Sequence, residues 1–172
     1  KKVGLGSPTG IDLPGETSGL IPSPEWVQRR YKRRWYPGET ISVAIGQGAV
    51  ATTPLQLAYT IGGIASGGVF RQPHVVLRDQ LSQIGPTVPE LKVPITESTV
   101  EIICRGMWGV VNEDGTAKSA RIEGLDIAGK TGTAQVVSRK TREAAGEDDP
   151  RYRANAWFVG LYPRRDPEIV VC

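Results

Sequence analysis

The chain has 172 residues, is 39% hydrophobic and carries a net charge of +3 with an isoelectric point near 9.0. That is enough apolar material for a sizeable core within one domain, and the mild charge permits polyanion binding without requiring it. No run of the ~18 apolar residues needed to span a bilayer occurs, and two cysteines, Cys104 and Cys172, without a C-x-x-C or Cys/His cluster exclude a zinc framework.

Residues 1–22 are rich in Gly, Pro and Thr and read as loop. Ser23-Pro24-Glu25 supplies an N-cap, a proline for the first helical position and an acidic first turn, which predicts a short helix from Pro24 to Arg33. Arg29, Arg30, Lys32, Arg33 and Arg34 surround Tyr31 and Trp35 at its end. Such a cluster can follow nucleic-acid phosphates or a membrane surface. Cations at a helix C-terminus also complement its dipole, so a capped, solvated helix is the preferred reading and no nucleic-acid partner is expected. Trp35 to Glu39, with Pro37-Gly38, predicts a turn before the apolar run Ile41 to Ile45. Gly46-Gln47-Gly48 interrupts that run; a lone G-x-G is usually a tight turn, and nothing completes a dinucleotide fingerprint or implies a cofactor.

Thr53-Pro54-Leu55-Gln56 has the residues of a capping box with proline at the first position, so a helix should run to Ala65 or Ser66, with Leu57, Ile61, Ile64 and Ala65 as its apolar face. Val69 to Leu77 predicts a strand, placed at an edge by Pro73, and the Pro-rich stretch Leu81 to Pro94 an exposed loop. His74, the only histidine, is open to use as a base, but a triad needs partners that spacing alone does not supply; a structural or surface role is preferred. A second long helix should begin near Thr96, burying Val100, Ile103, Cys104, Met107 and Val111 and ending over Asn112 to Gly115.

Ile127 to Val137 predicts a strand, and inside it stands Lys130-Thr131-Gly132-Thr133. Side chains alternate along a strand, so Lys130 and Gly132 share one face while Thr131 and Thr133 share the other, where both hydroxyls can meet one ligand. Gly132 removes a Cβ where another backbone or a substrate comes close. If the strand lies at an edge, its unpaired N–H groups can polarise a carbonyl oxygen. The plain alternative is a strand with a solvated lysine and a turn-prone glycine. Ser138 to Arg153 is charged and reads as a loop, and Glu147-Asp148-Asp149 within it reads as hydrated carboxylates with no metal. Ala154 to Tyr162 should form a strand, turn at Arg164-Arg165-Asp166-Pro167 and return over Glu168 to Val171 as a hairpin. Helices with antiparallel strands make the fold class α+β.

K-T-G is one of three motifs of the penicillin-binding proteins and serine β-lactamases, beside an S-x-x-K and an S-x-N element. The surrounding blocks extend the likeness: Gly4 to Glu16, Trp35 to Thr40, Ile45 to Gly48, Thr53 to Ala58, Gly115 to Ala117 and Lys130 to Gln135 fall in the order seen in class B penicillin-binding proteins. The sequence resembles the transpeptidase domain of that family over nearly its whole length, and its elongation-type branch in particular.

The resemblance implies the penicillin-binding transpeptidase fold, with the Lys130 strand lining a cleft. It implies acyl transfer through a serine that attacks a D-alanyl-D-alanine stem peptide, expels D-alanine and passes the acyl group to a neighbouring amine, with β-lactams imitating the donor. Lys130 would supply positive charge. Thr131 and Thr133 would bind the donor carboxylate, the Thr133 N–H would be half of the oxyanion hole, and Gly132 would permit close approach.

No Ser-x-x-Lys and no Ser-x-Asn occurs in the 172 residues. The chain is therefore expected to be the C-terminal portion of one transpeptidase domain, without the upstream nucleophile segment and without a final strand and helix. Missing sheet partners leave backbone groups and apolar faces uncovered, so the chain alone is expected to fold poorly and to be inactive. The family also implies an extracytoplasmic domain anchored to the inner membrane and cell-elongation membrane proteins as partners. A penicillin-sensing receptor domain and a non-catalytic interaction module remain alternatives.

Overall fold

The computed structural model describes residues 2–77, 80, 89–135 and 152–172. Among the described residues four α-helices, α1 (Pro24–Tyr31), α2 (Pro37–Ala44), α3 (Pro54–Ala65) and α4 (Glu97–Asn112), accompany five strands: β1 (Val69–Phe70), β2 (Leu91–Lys92), β3 (Ala128–Ala134), β4 (Asn155–Tyr162) and β5 (Ile169–Val171). β1 and β2 form a small antiparallel pair, and the other three form an antiparallel sheet in the order β3-β4-β5. The α+β class is as expected.

The caps read from the sequence are formed. Ser23 accepts from the Trp26 N–H, Thr96 from the Thr99 N–H, and Thr53 and Gln56 exchange both bonds of a capping box at 3.1 Å. Gln56 does more than cap. Fully buried, its amide donates to the carbonyls of Ser7 and Ser18 and so fastens the N-terminal loop to α3. α3 and α4 cover one face of the three-stranded sheet, where Met107, Ala128 and Leu161 pack with Ile61, Ile103, Trp108 and Val170. Cys104 is buried in α4 as expected, and burial raises its thiol pKa; Cys104 and exposed Cys172 are both free thiols.

Four expectations need correction. The turn expected over Trp35 to Glu39 is the start of α2: Pro37 takes the first position, and Glu39 reaches back to accept the Tyr36 N–H at 2.8 Å. α1 stops at Tyr31 instead of Arg33 because Lys32 adopts φ 55°, ψ 31° as a left-handed cap. The strand Val69 to Leu77 is only Val69–Phe70, since the N–H groups of Val75 and Val76 donate to the Asp12 carboxylate instead of to a neighbouring strand. Within the stretch expected to be loop, Leu91–Lys92 pairs with Val69–Phe70. The Lys130 strand spans Ala128–Ala134, and the hairpin strands begin at Asn155 and Ile169. Val136, Val137 and the charged segment with Glu147 to Asp149 lie outside the described residues.

Candidate functional site

Among the described residues, β3 occupies the edge of its sheet, with β4 as its one strand neighbour. The register pairs Lys130 with Val159, Thr131 with Phe158, Gly132 with Trp157 and Thr133 with Ala156. In an antiparallel pair, residues alternate between pointing both backbone groups at the partner and pointing both away from it. The Thr133 carbonyl accepts from Gln47 Nε2 at 2.8 Å and the Thr131 carbonyl from Lys130 Nζ at 2.6 Å. Both carbonyls therefore face the open edge, and the N–H groups of Thr131 and Thr133 face the same way. That edge presents N–H donors beside an ammonium and two hydroxyl-bearing residues, a set suited to a carboxylate or a developing oxyanion.

Lys130, Gly132 and Thr133 are exposed and Thr131 is half-buried. The alternation holds: Thr131 and Thr133 share the face opposite Lys130, whose side is also that of buried Ala128 and Val159. Two glycines differ in kind. A Cβ on Gly129 would come within 2.6 Å of two ring atoms of Phe158, whereas on Gly132 it would meet only Trp157 Cβ, at 3.5 Å. Gly129 is thus required by the protein's own packing, while the space beside Gly132 is open.

Two residues outside the tetrad reach this edge. Thr116 Oγ1 lies 2.6 Å from Thr131 Oγ1, and Gln47 holds the Thr133 carbonyl. Sequence reasoning grouped both into family-like blocks but gave neither a role, since nothing local in the sequence ties Gln47 to Thr133 or Thr116 to Thr131. An open cavity of about 520 Å³ adjoins the strand between Gly46, Leu57, Thr133, Ala134 and Trp157, mainly apolar in its walls. His74 is not part of this edge: it is exposed, and its Nδ1 lies 2.7 Å from the Val76 carbonyl.

Within the basic cluster after α1, Arg33 is tied down locally. Arg33 makes two bonds to Glu39, at 2.8 and 2.9 Å, and stacks on Tyr31 and Tyr36. These bonds, with the Tyr36 N–H, hold the Glu39 carboxyl at about 2. Among the described residues no group of His, Cys, Asp and Glu is arranged to hold a metal ion, and no helix is long and apolar enough to cross a membrane.

A family model described as the penicillin binding protein transpeptidase domain matches residues 1–172. The peptidoglycan D,D-transpeptidase MrdA of Haemophilus influenzae is 37% identical over 180 residues, an overlap of 99% of this chain and 28% of that protein. Among solved structures, the complex between PBP2 and MreC from Helicobacter pylori superposes with a TM-score of 0.80 at 32% identity, covering 99% of this chain and 29% of the other. Pseudomonas aeruginosa PBP2 in complex with WCK 5153 gives 0.79 at 32% identity, covering 99% and 36%. The chain thus spans between a quarter and two-fifths of the length of these relatives. It belongs to the penicillin-binding protein transpeptidase domain family.

Proposed function

We propose that this chain supplies the substrate-binding strand of a peptidoglycan D,D-transpeptidase of the elongation type. The observation that carries the reading is the open edge of β3, where the Thr133 N–H, the Lys130 ammonium and the Thr131 and Thr133 hydroxyls are gathered on seven residues of one strand. In this reading the donor's terminal carboxylate binds the two hydroxyls and Lys130. The Thr133 N–H donates to the carbonyl oxygen under attack and strengthens that bond as the oxygen becomes anionic; a donor so placed is typically worth roughly 2.7–4 kcal/mol of barrier. Gly132 leaves room for the donor backbone.

The nucleophilic serine and its lysine come from sequence outside these 172 residues, which contain no Ser-x-x-Lys. Serine attack forms the acyl ester and releases D-alanine, and an amine of a second stem peptide then displaces the serine oxygen to form the cross-link. β-Lactams enter by the same edge as donor mimics. The likeness to MrdA and to a PBP2 that binds MreC supports an elongation role with membrane partners and an anchored, extracytoplasmic placement.

The test is turnover by the full-length protein with a D-alanyl-D-alanine stem peptide and an amine acceptor. Amide product formed with release of D-alanine is expected. Acylation by penicillin without transfer to any amine would instead favour a sensing domain.

A further inference from the structure

We infer that Gln47 is a positioning residue for the oxyanion donor at Thr133, acting through the Thr133 carbonyl. The inference rests on the transpeptidase reading of the β3 edge. Gln47 is held in place by the end of α2. The Gln47 N–H donates to the Ser42 carbonyl at 2.8 Å and the Gly46 N–H to the Val43 carbonyl at 3.0 Å, while Gly46 takes φ 72°. This is the paired bonding of a Schellman cap, with glycine in the left-handed position. Gly48, at φ 73°, turns the chain away immediately afterwards. The backbone of Gln47 is thereby fixed to a helix, and its side chain spans 86 residues of sequence to reach the Thr133 carbonyl at 2.8 Å.

The carbonyl and N–H of Thr133 face the same open side, where among the described residues no further strand holds them. An edge residue free on that side can twist about its backbone dihedrals, and an oxyanion donor contributes most when its direction is fixed before reaction. A single amide donor from the end of α2 restrains the residue without occupying its N–H.

The experiment is the second-order rate of acylation by a fluorescent penicillin in the full-length protein, compared among wild type, Gln47→Ala and Gln47→Glu, with the fully labelled fraction measured in each. Gln47→Ala should slow acylation roughly five- to tenfold, the scale of one net hydrogen bond, with the labelled fraction unchanged. Gln47→Glu tests direction of donation. Its carboxylate at neutral pH faces a carbonyl oxygen without a proton to give, and on protonation it becomes a donor. Its rate relative to wild type should therefore rise as pH falls through the carboxylate range, adding an inflection that wild type lacks. A residue that merely maintains the fold would reduce the labelled fraction, leave the rate per labelled site unchanged and show no new inflection; that result would overturn the inference. Wild-type rates in both variants would overturn it as well and leave the functional reading standing. Failure of wild type itself to be labelled would remove that reading, and the inference with it.

Discussion

The hydroxyls of Thr116 and Thr131 lie 2.6 Å apart, joining the turn that follows α4 to the exposed edge strand. A hydroxyl has one donor and two acceptor sites. Thr131 can therefore accept from Thr116 and still give its proton to a ligand carboxylate. Thr116→Val, close in shape but without the hydroxyl, should slow acylation by penicillin about fivefold, equivalent to roughly 1 kcal/mol. Thr116→Ser should keep most of the rate. Equal rates in all three proteins would show that the contact does not orient Thr131.

Gly129 and Gly132, three residues apart, should respond differently to alanine. The methyl group in Gly129→Ala runs into the Phe158 ring and lies 3.2 Å from the Val159 carbonyl, so a loss of roughly 1–3 kcal/mol of stability is expected from overpacking. In Gly132→Ala the nearest contact is an ordinary 3.5 Å. Its melting temperature should stay close to wild type while acylation slows, because the methyl projects into space left for the donor. Calorimetry beside labelling kinetics separates the two effects. Comparable destabilisation by both changes would mean that Gly132 also serves packing.

Asn112, the last residue of α4, donates its amide to the Trp108 carbonyl at 3.0 Å and the Ile127 carbonyl at 2.8 Å. It ties the helix end to the chain just before β3. Asn112→Ala should cost roughly 1–3 kcal/mol through the Ile127 carbonyl, which loses this donor, whereas the Trp108 carbonyl keeps its helical backbone partner; faster amide exchange at the start of β3 should accompany it. Unchanged exchange there would place the anchoring of β3 elsewhere.

Glu39 gives a pH prediction with a definite sign. Bonds from Arg33 and the Tyr36 N–H lower its carboxyl from the ordinary 4.5 to about 2 in the folded chain. A depressed folded value means stabilisation that is fully present above about 4.5 and lost as pH falls through about 2. Protection of the Tyr36 amide from hydrogen exchange should be constant from neutral pH down to that window and then decline. Glu39→Gln should show lower protection at neutral pH and a flatter profile. Because the pair is exposed, the effect should be local and weakened by salt. Loss of wild-type protection at pH well above 4.5 would contradict it.

Much of this architecture is legible in the sequence because its signals are local. Thr53-Pro54 with Gln56, and Thr96 before the apolar stripe of Cys104, Met107 and Val111, specify α3 and α4 through bonds within one or two turns. The alternation along Lys130 to Thr133 likewise needs only the pleat of one strand. The start of α2 is less legible because Pro37-Gly38 suits a turn as well as a helix start, and the choice falls to the Arg33–Glu39 pair and the bond that the Tyr36 N–H donates to Glu39. Val69 to Leu77 has strand-like residues, but Asp12, more than sixty positions earlier, takes the N–H groups of Val75 and Val76. Gln47 and Thr116 were illegible as site residues for the same reason. Their partners, Thr133 and Thr131, are brought to them only by the assembled sheet and helices.

The role of the β3 edge is tested most directly by covalent labelling of the full-length protein by a fluorescent penicillin, with peptide mapping of the modified residue, for wild type and Lys130→Ala. One labelled serine is expected, within a Ser-x-x-Lys outside these 172 residues, with a rate roughly 10²–10³-fold lower in Lys130→Ala from the loss of a fixed charge at a reacting centre. Label on a serine of this chain, or an unchanged rate in Lys130→Ala, would contradict it.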